Sequence, residues 1–313
     1  MNALLFPGQG SQVVGMGSEF HKKFELVKKI FKQADEKLNY SISQLILDGP
    51  EDKLQLTMNT QPAILTVSYS IFRVLKDEFG FDFNNFKYFA GHSLGEYSAL
   101  VCSESLNFDD AIFLLNERGK AMQAAVPVGE GSMIAVLGMK TDEIFNLIKL
   151  IDENEGVCEI ANDNANGQVI ISGNKNKVKF FQEFLKEKKI KSIPLKVSAP
   201  FHCSLMKPAA DTMAEKINNT KFNSPLYKII NNVTAKTEAD PNIIKRLLID
   251  QIFSTVKWRE SIIKMSESDV NNFVEIGPGK VLSGMVKRTL KDANCFSINS
   301  IADIKNLTDE FKK

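Results

Sequence analysis

The sequence predicts an α/β protein in which a large unit with a parallel central sheet carries a smaller inserted unit. Three observations predict it. Short apolar runs of strand length alternate with longer stretches whose apolar residues recur at helical spacing. The middle third breaks that alternation with two strands in succession, in the βαββαβ order of the split-βαβ motif. The chain has 313 residues, 43% of them hydrophobic and 25% charged. These are ordinary globular values, at a length that fits about two domains.

The elements follow in order. Ala3 to Phe6 reads as a buried strand, ended by Pro7-Gly8-Gln9-Gly10. Phe20, Phe24, Val27 and Phe31 fall on one helical stripe, and another helix is expected from Thr60 to Phe79. Asn85 to Ala90 reads as a second buried strand ending at Gly91, with a helix starting at once through Leu94, Tyr97 and Leu100. Asp109 or Asp110 is expected to cap a helix reaching Ala125. Met133–Leu137, Val157–Ala161, Val169–Ser172 and Lys191–Leu195 read as strands, with helices over Asp142–Leu150 and Val178–Leu185. The expected division is therefore a discontinuous large domain, 1–126 with 198–313, around a ferredoxin-like small domain, 127–197. Beyond it come a helix from Ser204, a strand near Ile229, helices over 242–253 and 257–267, the strand Phe273–Ile276, a helix, and a strand near Phe296.

Composition narrows the function classes. There are 39 basic and 38 acidic side chains, net +1, which argues against an electrostatic nucleic-acid binder. Cys102, Cys158, Cys203 and Cys295 form no CxxC pair and match no zinc spacing. With only His21, His92 and His202 available, a multi-histidine metal site is not expected. No basic stretch precedes an apolar one at the N-terminus, and no apolar run has the length of a membrane span. A soluble, cytoplasmic protein is the expectation.

Two glycine-rich strings fail as nucleotide motifs. Gly8-Gln9-Gly10 follows a strand, but Val13 stands where the third glycine of a dinucleotide fingerprint belongs. Gly279-Lys280 is followed by Val281, and Val274 replaces the leading glycine of a P-loop.

Gly91-His92-Ser93-Leu94-Gly95 fits G-x-S-x-G, between a buried strand and a helix. Such an elbow puts a serine hydroxyl into the open on a strained turn, and needs small flanking residues because the backbone crowds itself. The helix N-terminus favours a developing anion. The competing reading is a tight turn with a capping serine. A nucleophilic serine needs a base. His92 lies in the turn, which would aim it elsewhere. His21 lies in a lysine-flanked helix and is expected to be solvated. His202, in the loop Ala199-Pro200-Phe201-His202-Cys203, remains. No acid between Ser93 and His202 stands out as its orienting partner, and a backbone carbonyl could serve. Arg118 is one of five arginines against 34 lysines, and it shares the buried helical stripe of Ala111, Leu115 and Met122. A guanidinium there needs a carboxylate, either in an internal salt bridge or from a substrate.

Further strings accompany these: Phe6-Pro7-Gly8-Gln9-Gly10-Ser11-Gln12, Thr60-Gln61-Pro62-Ala63, Glu96-Tyr97 after the elbow, Asn116-Glu117-Arg118-Gly119, Gly167-Gln168-Val169 with Ser172-Gly173, His202-Cys203-Ser204-Leu205-Met206, and Val274-Glu275-Ile276-Gly277-Pro278-Gly279. In this order, and over most of the chain, they resemble the malonyl-CoA:acyl carrier protein transacylases of fatty-acid synthesis. The resemblance implies an α/β-hydrolase-like large domain with the ferredoxin-like insertion. It implies Ser93 as nucleophile, His202 as base, and Gln9 with the Leu94 backbone N–H as oxyanion hole. It implies Arg118 as clamp for the malonyl carboxylate, and the main-chain carbonyl of Gln251 as the group that orients His202. It implies no metal or redox cofactor. The implied partners are malonyl-CoA and an acidic acyl carrier protein that docks transiently, for which Lys186, Lys188, Lys189 and Lys191 offer a basic edge. The rival readings are a serine esterase or thioesterase, an acyltransferase using another donor such as methylmalonyl, and a non-catalytic carrier-protein-binding subunit, against which the intact Ser93, His202, Gln9 and Arg118 argue.

Overall fold

The computed structural model describes residues 1–151, 155–197 and 199–311. The chain opens with β1 (Asn2–Phe6), then α1 (Ser18–Lys23), α2 (Glu25–Leu38), α3 (Ile42–Leu47), α4 (Glu51–Leu54) and α5 (Thr57–Arg73). It continues with β2 (Phe86–Gly91), α6 (Gly95–Cys102), α7 (Phe108–Ala124) and β3 (Gly131–Leu137). Then come α8 (Thr141–Lys149), β4 (Cys158–Ala165), β5 (Gln168–Asn174), α9 (Lys175–Glu187), β6 (Ser192–Pro194) and α10 (Lys207–Asn219). The remainder is β7 (Lys228–Ile230), β8 (Thr237–Glu238), α11 (Pro241–Gln251), α12 (Trp258–Ser266), β9 (Asn272–Ile276), α13 (Val281–Thr289), β10 (Asn294–Ile298) and α14 (Ile301–Phe311).

The fold is mixed α/β. A six-stranded sheet runs in the order β10-β9-β1-β2-β7-β8, parallel except for the β7–β8 pair. The central strands β1, β2 and β9 are mostly apolar because both of their faces are covered. In β1, Leu4 and Phe6 pack into the main core with Phe89 and Val274, while Ala3 and Leu5 face a second core with Trp258 and Phe273. A second sheet, β4-β5-β3-β6, is antiparallel throughout. Its own core of Ile134, Val136, Ile171, Val178 and Phe181 lies under α8 and α9.

Several elements differ from the sequence reading. The Phe20-to-Phe31 stripe is two helices, because Phe24 is extended (φ −114°, ψ 120°) between α1 and α2. The 4-3-4 spacing survives the break, which is why periodicity alone hid it. Asn107 caps α7, its side chain accepting from the Asp110 N–H, and Asp109 and Asp110 lie in the first turn. That turn is where the helix dipole favours acids, so the same two residues imitate a cap. The short helices α3 and α4 and the last helix, α14, were not expected. His21 is not simply solvated, since its ring lies 5.0 Å from that of Phe31. The expected large-domain boundary at 198 falls on a residue outside those described.

The parallel sheet fixes where the site can be. Phe6 and Gly91 pair at the ends of β1 and β2, so the loops carrying Gln9 and Ser93 leave the same edge, outside the carboxyl ends of the strands. Helix α6 then lies directly on the end of β1. A side chain at Gly95 would run into the carbonyls of Phe6 and Pro7, and one at Gly91 would run into the Gly95 carbonyl. Helices α5 and α7 are joined as closely. Pro62, inside α5, has no N–H to give the Met58 carbonyl. The Asn116 side chain on α7 donates to that carbonyl instead, at 2.9 Å. Gly119 lets α7 rest on the α5 backbone at Met58.

Gly91→Ala is expected to destabilise the fold by at least about 1–3 kcal/mol, because backbone rather than a flexible side chain must move. Denaturant unfolding measures this, and an unchanged midpoint would contradict the packing described.

Candidate active site

Ser93 occupies the turn between β2 and α6 at φ 54°, a left-handed conformation that is unusual for a residue with a side chain. Asn232, just after β7, grips the turn on both sides. Its Oδ1 accepts from the Ser93 N–H at 2.7 Å, and its Nδ2 donates to the Gly91 carbonyl at 2.8 Å. The strain is thereby held by hydrogen bonds from another strand. His92 points away, as expected: its Nε2 lies 2.8 Å from Asn164 Oδ1, and its ring packs against Trp258.

His202 comes to the elbow from a separate loop, 109 residues along the chain. Its Nε2 lies 2.7 Å from Ser93 Oγ, and its Nδ1 lies 2.8 Å from the Gln251 carbonyl oxygen. A carbonyl only accepts, so Nδ1 carries the proton and Nε2 presents a lone pair to the serine. Both residues are buried. Burial disfavours the imidazolium, the neighbouring Arg118 charge adds to this, and together they pull the His202 pKa down to about 3.

Arg118 is 1% exposed. Its Nη1 donates to Gln61 Oε1 at 2.8 Å, and its Nη2 donates to Gln251 Oε1 at 2.8 Å and to Ser93 Oγ at 3.2 Å. Its Nε has no hydrogen-bond partner among the described residues. Among the described residues the internal salt bridge left open by the sequence is not formed: the acceptors on the guanidinium are neutral amides and a hydroxyl. A buried cation without an anion in contact is costly. Burial lowers the Arg118 pKa, with Tyr97 and Glu96 partly opposing, from a value so high that the group stays charged.

Gln9 lies on the loop leaving β1, exposed, with its side-chain amide donating to Thr57 Oγ1 at 3.3 Å. No hydrogen bond among the described residues joins that side chain to Ser93. The loop is nevertheless pressed onto the elbow, since a side chain at Gly8 would meet the His92 carbonyl. Among the described residues, nothing accepts a hydrogen bond from the backbone N–H of Gln9 or of Leu94. No group of three or more His, Cys, Asp or Glu side chains among the described residues could hold a metal ion. No described helix is long and apolar enough to cross a membrane.

The acyl transferase domain family matches residues 3–313. The chain belongs to that family. The malonyl CoA-acyl carrier protein transacylase of Haemophilus influenzae is 43% identical over 310 residues, 99% of this chain and 98% of the relative. The crystal structure of an acyl-carrier-protein-S-malonyltransferase from Bartonella henselae aligns with a TM-score of 0.96 at 39% identity, covering 100% of this chain and 99% of that one. A type II PKS acyl-carrier protein in complex with its malonyl-transacylase gives a TM-score of 0.94 at 37% identity, covering 99% of each chain.

In this acyl transferase, Ser93, His202, Arg118 and Gln251 meet in one buried cluster. Gln61, Asn232 and Glu96 complete it, and sequence reasoning gave none of them a role. Gln61 and Glu96 stood in the quoted strings, whereas Asn232 had no signal, since its part depends on where β7 pairs with β2.

Because His202 is already neutral, acylation of Ser93 should not fall as the pH drops from about 8 to about 5. Loss of the base is expected only on approach to its depressed pKa. A single-turnover pH profile tests this, and a loss centred near about 6.5, the ordinary imidazole value, would mean that the ring is solvated.

Proposed function

We infer that this protein transfers the malonyl group from malonyl-CoA to the phosphopantetheine thiol of acyl carrier protein, through an ester on Ser93, in fatty-acid biosynthesis. One observation carries the reading beyond a generic serine acyltransferase: Arg118, buried and without a carboxylate partner, stands 3.2 Å from Ser93 Oγ. A substrate that brings its own carboxylate to the acylated serine completes that charge pair. Malonyl does so and acetyl does not.

His202 Nε2 takes the Ser93 proton as Oγ attacks the malonyl thioester. The oxyanion is held by the backbone N–H groups of Gln9 and Leu94, with the α6 N-terminus behind them. The Gln251 carbonyl steadies the imidazolium through Nδ1–H, in place of an acid. His202 then protonates the departing CoA thiolate. The carrier-protein thiol enters, gives its proton to His202 and attacks the ester. The tetrahedral intermediate collapses, and the proton returns to Ser93. One thioester is exchanged for another, so the driving force is small and the reaction runs both ways. The cycle needs no metal or redox cofactor.

We read the architecture as an α/β-hydrolase-like domain, 1–126 with 198–313, carrying a ferredoxin-like domain at 127–197. In support, the second sheet places its strands second, third, first, fourth in chain order, with a helix in each crossover. A cytoplasmic location accords with four cysteines that are all free. The exposed Lys186, Lys188, Lys189 and Lys191 at the end of α9 form the proposed edge for the acidic carrier protein.

Arg118→Ala should lower kcat/KM for malonyl-CoA by at least about 100-fold, since the carboxylate would enter desolvated and unpaired. Acetyl-CoA should be spared or favoured. Steady-state transfer of both acyl groups measures the ratio, and an equal loss on both would refute the clamp.

A further inference from the structure

Behind the reacting groups lies a carboxylate that the mechanism does not use. Glu96 is buried in the first turn of α6. It makes no hydrogen bond to Ser93 Oγ or His202. Its Oε2 accepts from the Asn232 backbone N–H at 3.0 Å and from Gln251 Nε2 at 2.7 Å. The same Gln251 amide offers its oxygen to Arg118 Nη2 at 2.8 Å, and its nitrogen also donates to the Ser93 carbonyl at 3.1 Å.

The chemistry of an amide makes this arrangement directional. Arg118 has only donors, so it can be met only by the oxygen end of Gln251. The nitrogen end must then face acceptors, and a turned amide would put donor against donor. Three oxygens face that nitrogen: the Ser93 carbonyl, Asn232 Oδ1 at 3.4 Å, and Glu96 Oε2. Glu96 makes the shortest of these bonds.

We propose that Glu96 is a positioning residue for substrate selection: through the carboxamide of Gln251, its Oε2 holds Arg118 where a carboxylated acyl group on Ser93 can be gripped. This rests on the reading of Arg118 as the malonyl clamp. The charge of Glu96 is secondary to its reach. Burial pushes its pKa up to about 7, against the two hydrogen bonds and Arg118. Both of these hydrogen bonds fall on Oε2, so an amide oxygen in the same place keeps them.

The test compares malonyl-CoA with acetyl-CoA in steady-state transfer to carrier protein, for wild type, Glu96→Gln, Glu96→Asp and Glu96→Ala, with a thermal melt of each. Glu96→Gln keeps an oxygen at the same reach and should keep the malonyl preference. Glu96→Asp keeps the charge but withdraws the oxygen, and should lose part of that preference through a raised KM for malonyl-CoA. Glu96→Ala should lose more, about 100-fold, as expected when a contact group is misplaced by about 1 Å. If Glu96→Ala does not fold, the contrast between Gln and Asp decides. Equal losses on both acyl donors, or a Gln variant as impaired as the Asp variant, would overturn the proposal. A wild-type enzyme with no malonyl preference would instead overturn the clamp reading beneath it.

Discussion

The site depends on a steric constraint: α6 can lean against the end of β1 only because positions 91 and 95 carry no side chain. That contact turns the chain sharply enough to leave Ser93 in a left-handed conformation. The turn is strained, and Asn232 holds it by binding the backbone on both sides of His92. Everything else approaches this corner. The β1 loop is pressed onto it at Gly8, and the His202 loop meets it at Ser93 Oγ. Helix α7 brings Arg118, at an angle set by the missing amide hydrogen of Pro62 and the small Gly119.

Burial then gives these groups their chemistry. A solvated imidazole spends part of its time charged near neutrality. Here burial and the Arg118 charge hold His202 neutral, and the Gln251 carbonyl fixes the remaining proton on Nδ1. A buried cation is ordinarily matched by an anion in contact, yet among the described residues Arg118 hydrogen-bonds only to amides and the serine hydroxyl. The arrangement tolerates an incomplete charge pair in the free enzyme, and the proposed substrate completes it. Gln251 links the two halves, its main chain meeting His202 and its side chain Arg118.

What was legible in the sequence was local. The elbow is five consecutive residues between a strand and a helix. The strands β1, β2 and β9 stand out because both faces are buried, so no polar alternation blurs them. Arg118 was conspicuous because arginine is scarce here and its neighbours on the stripe are apolar. Its partners were not legible, and among the described residues no carboxylate is hydrogen-bonded to it. Glu96 and Gln251 lie 155 positions apart, and Asn232 and Gly91 lie 141 apart. Nothing in the spacing of polar residues announces contacts that only the sheet order creates. Helices of four and six residues, such as α4 and α3, are too short to show a period. The break at Phe24 left the apolar period intact.

The claim that Ser93 carries the acyl group is tested most directly by the intact mass of the protein after brief exposure to malonyl-CoA without a thiol acceptor. The wild-type protein should gain the mass of one malonyl group, located by peptide mapping to the segment containing Ser93, and Ser93→Ala should gain nothing. An equal gain in the Ser93→Ala protein would place the nucleophile elsewhere and contradict the account.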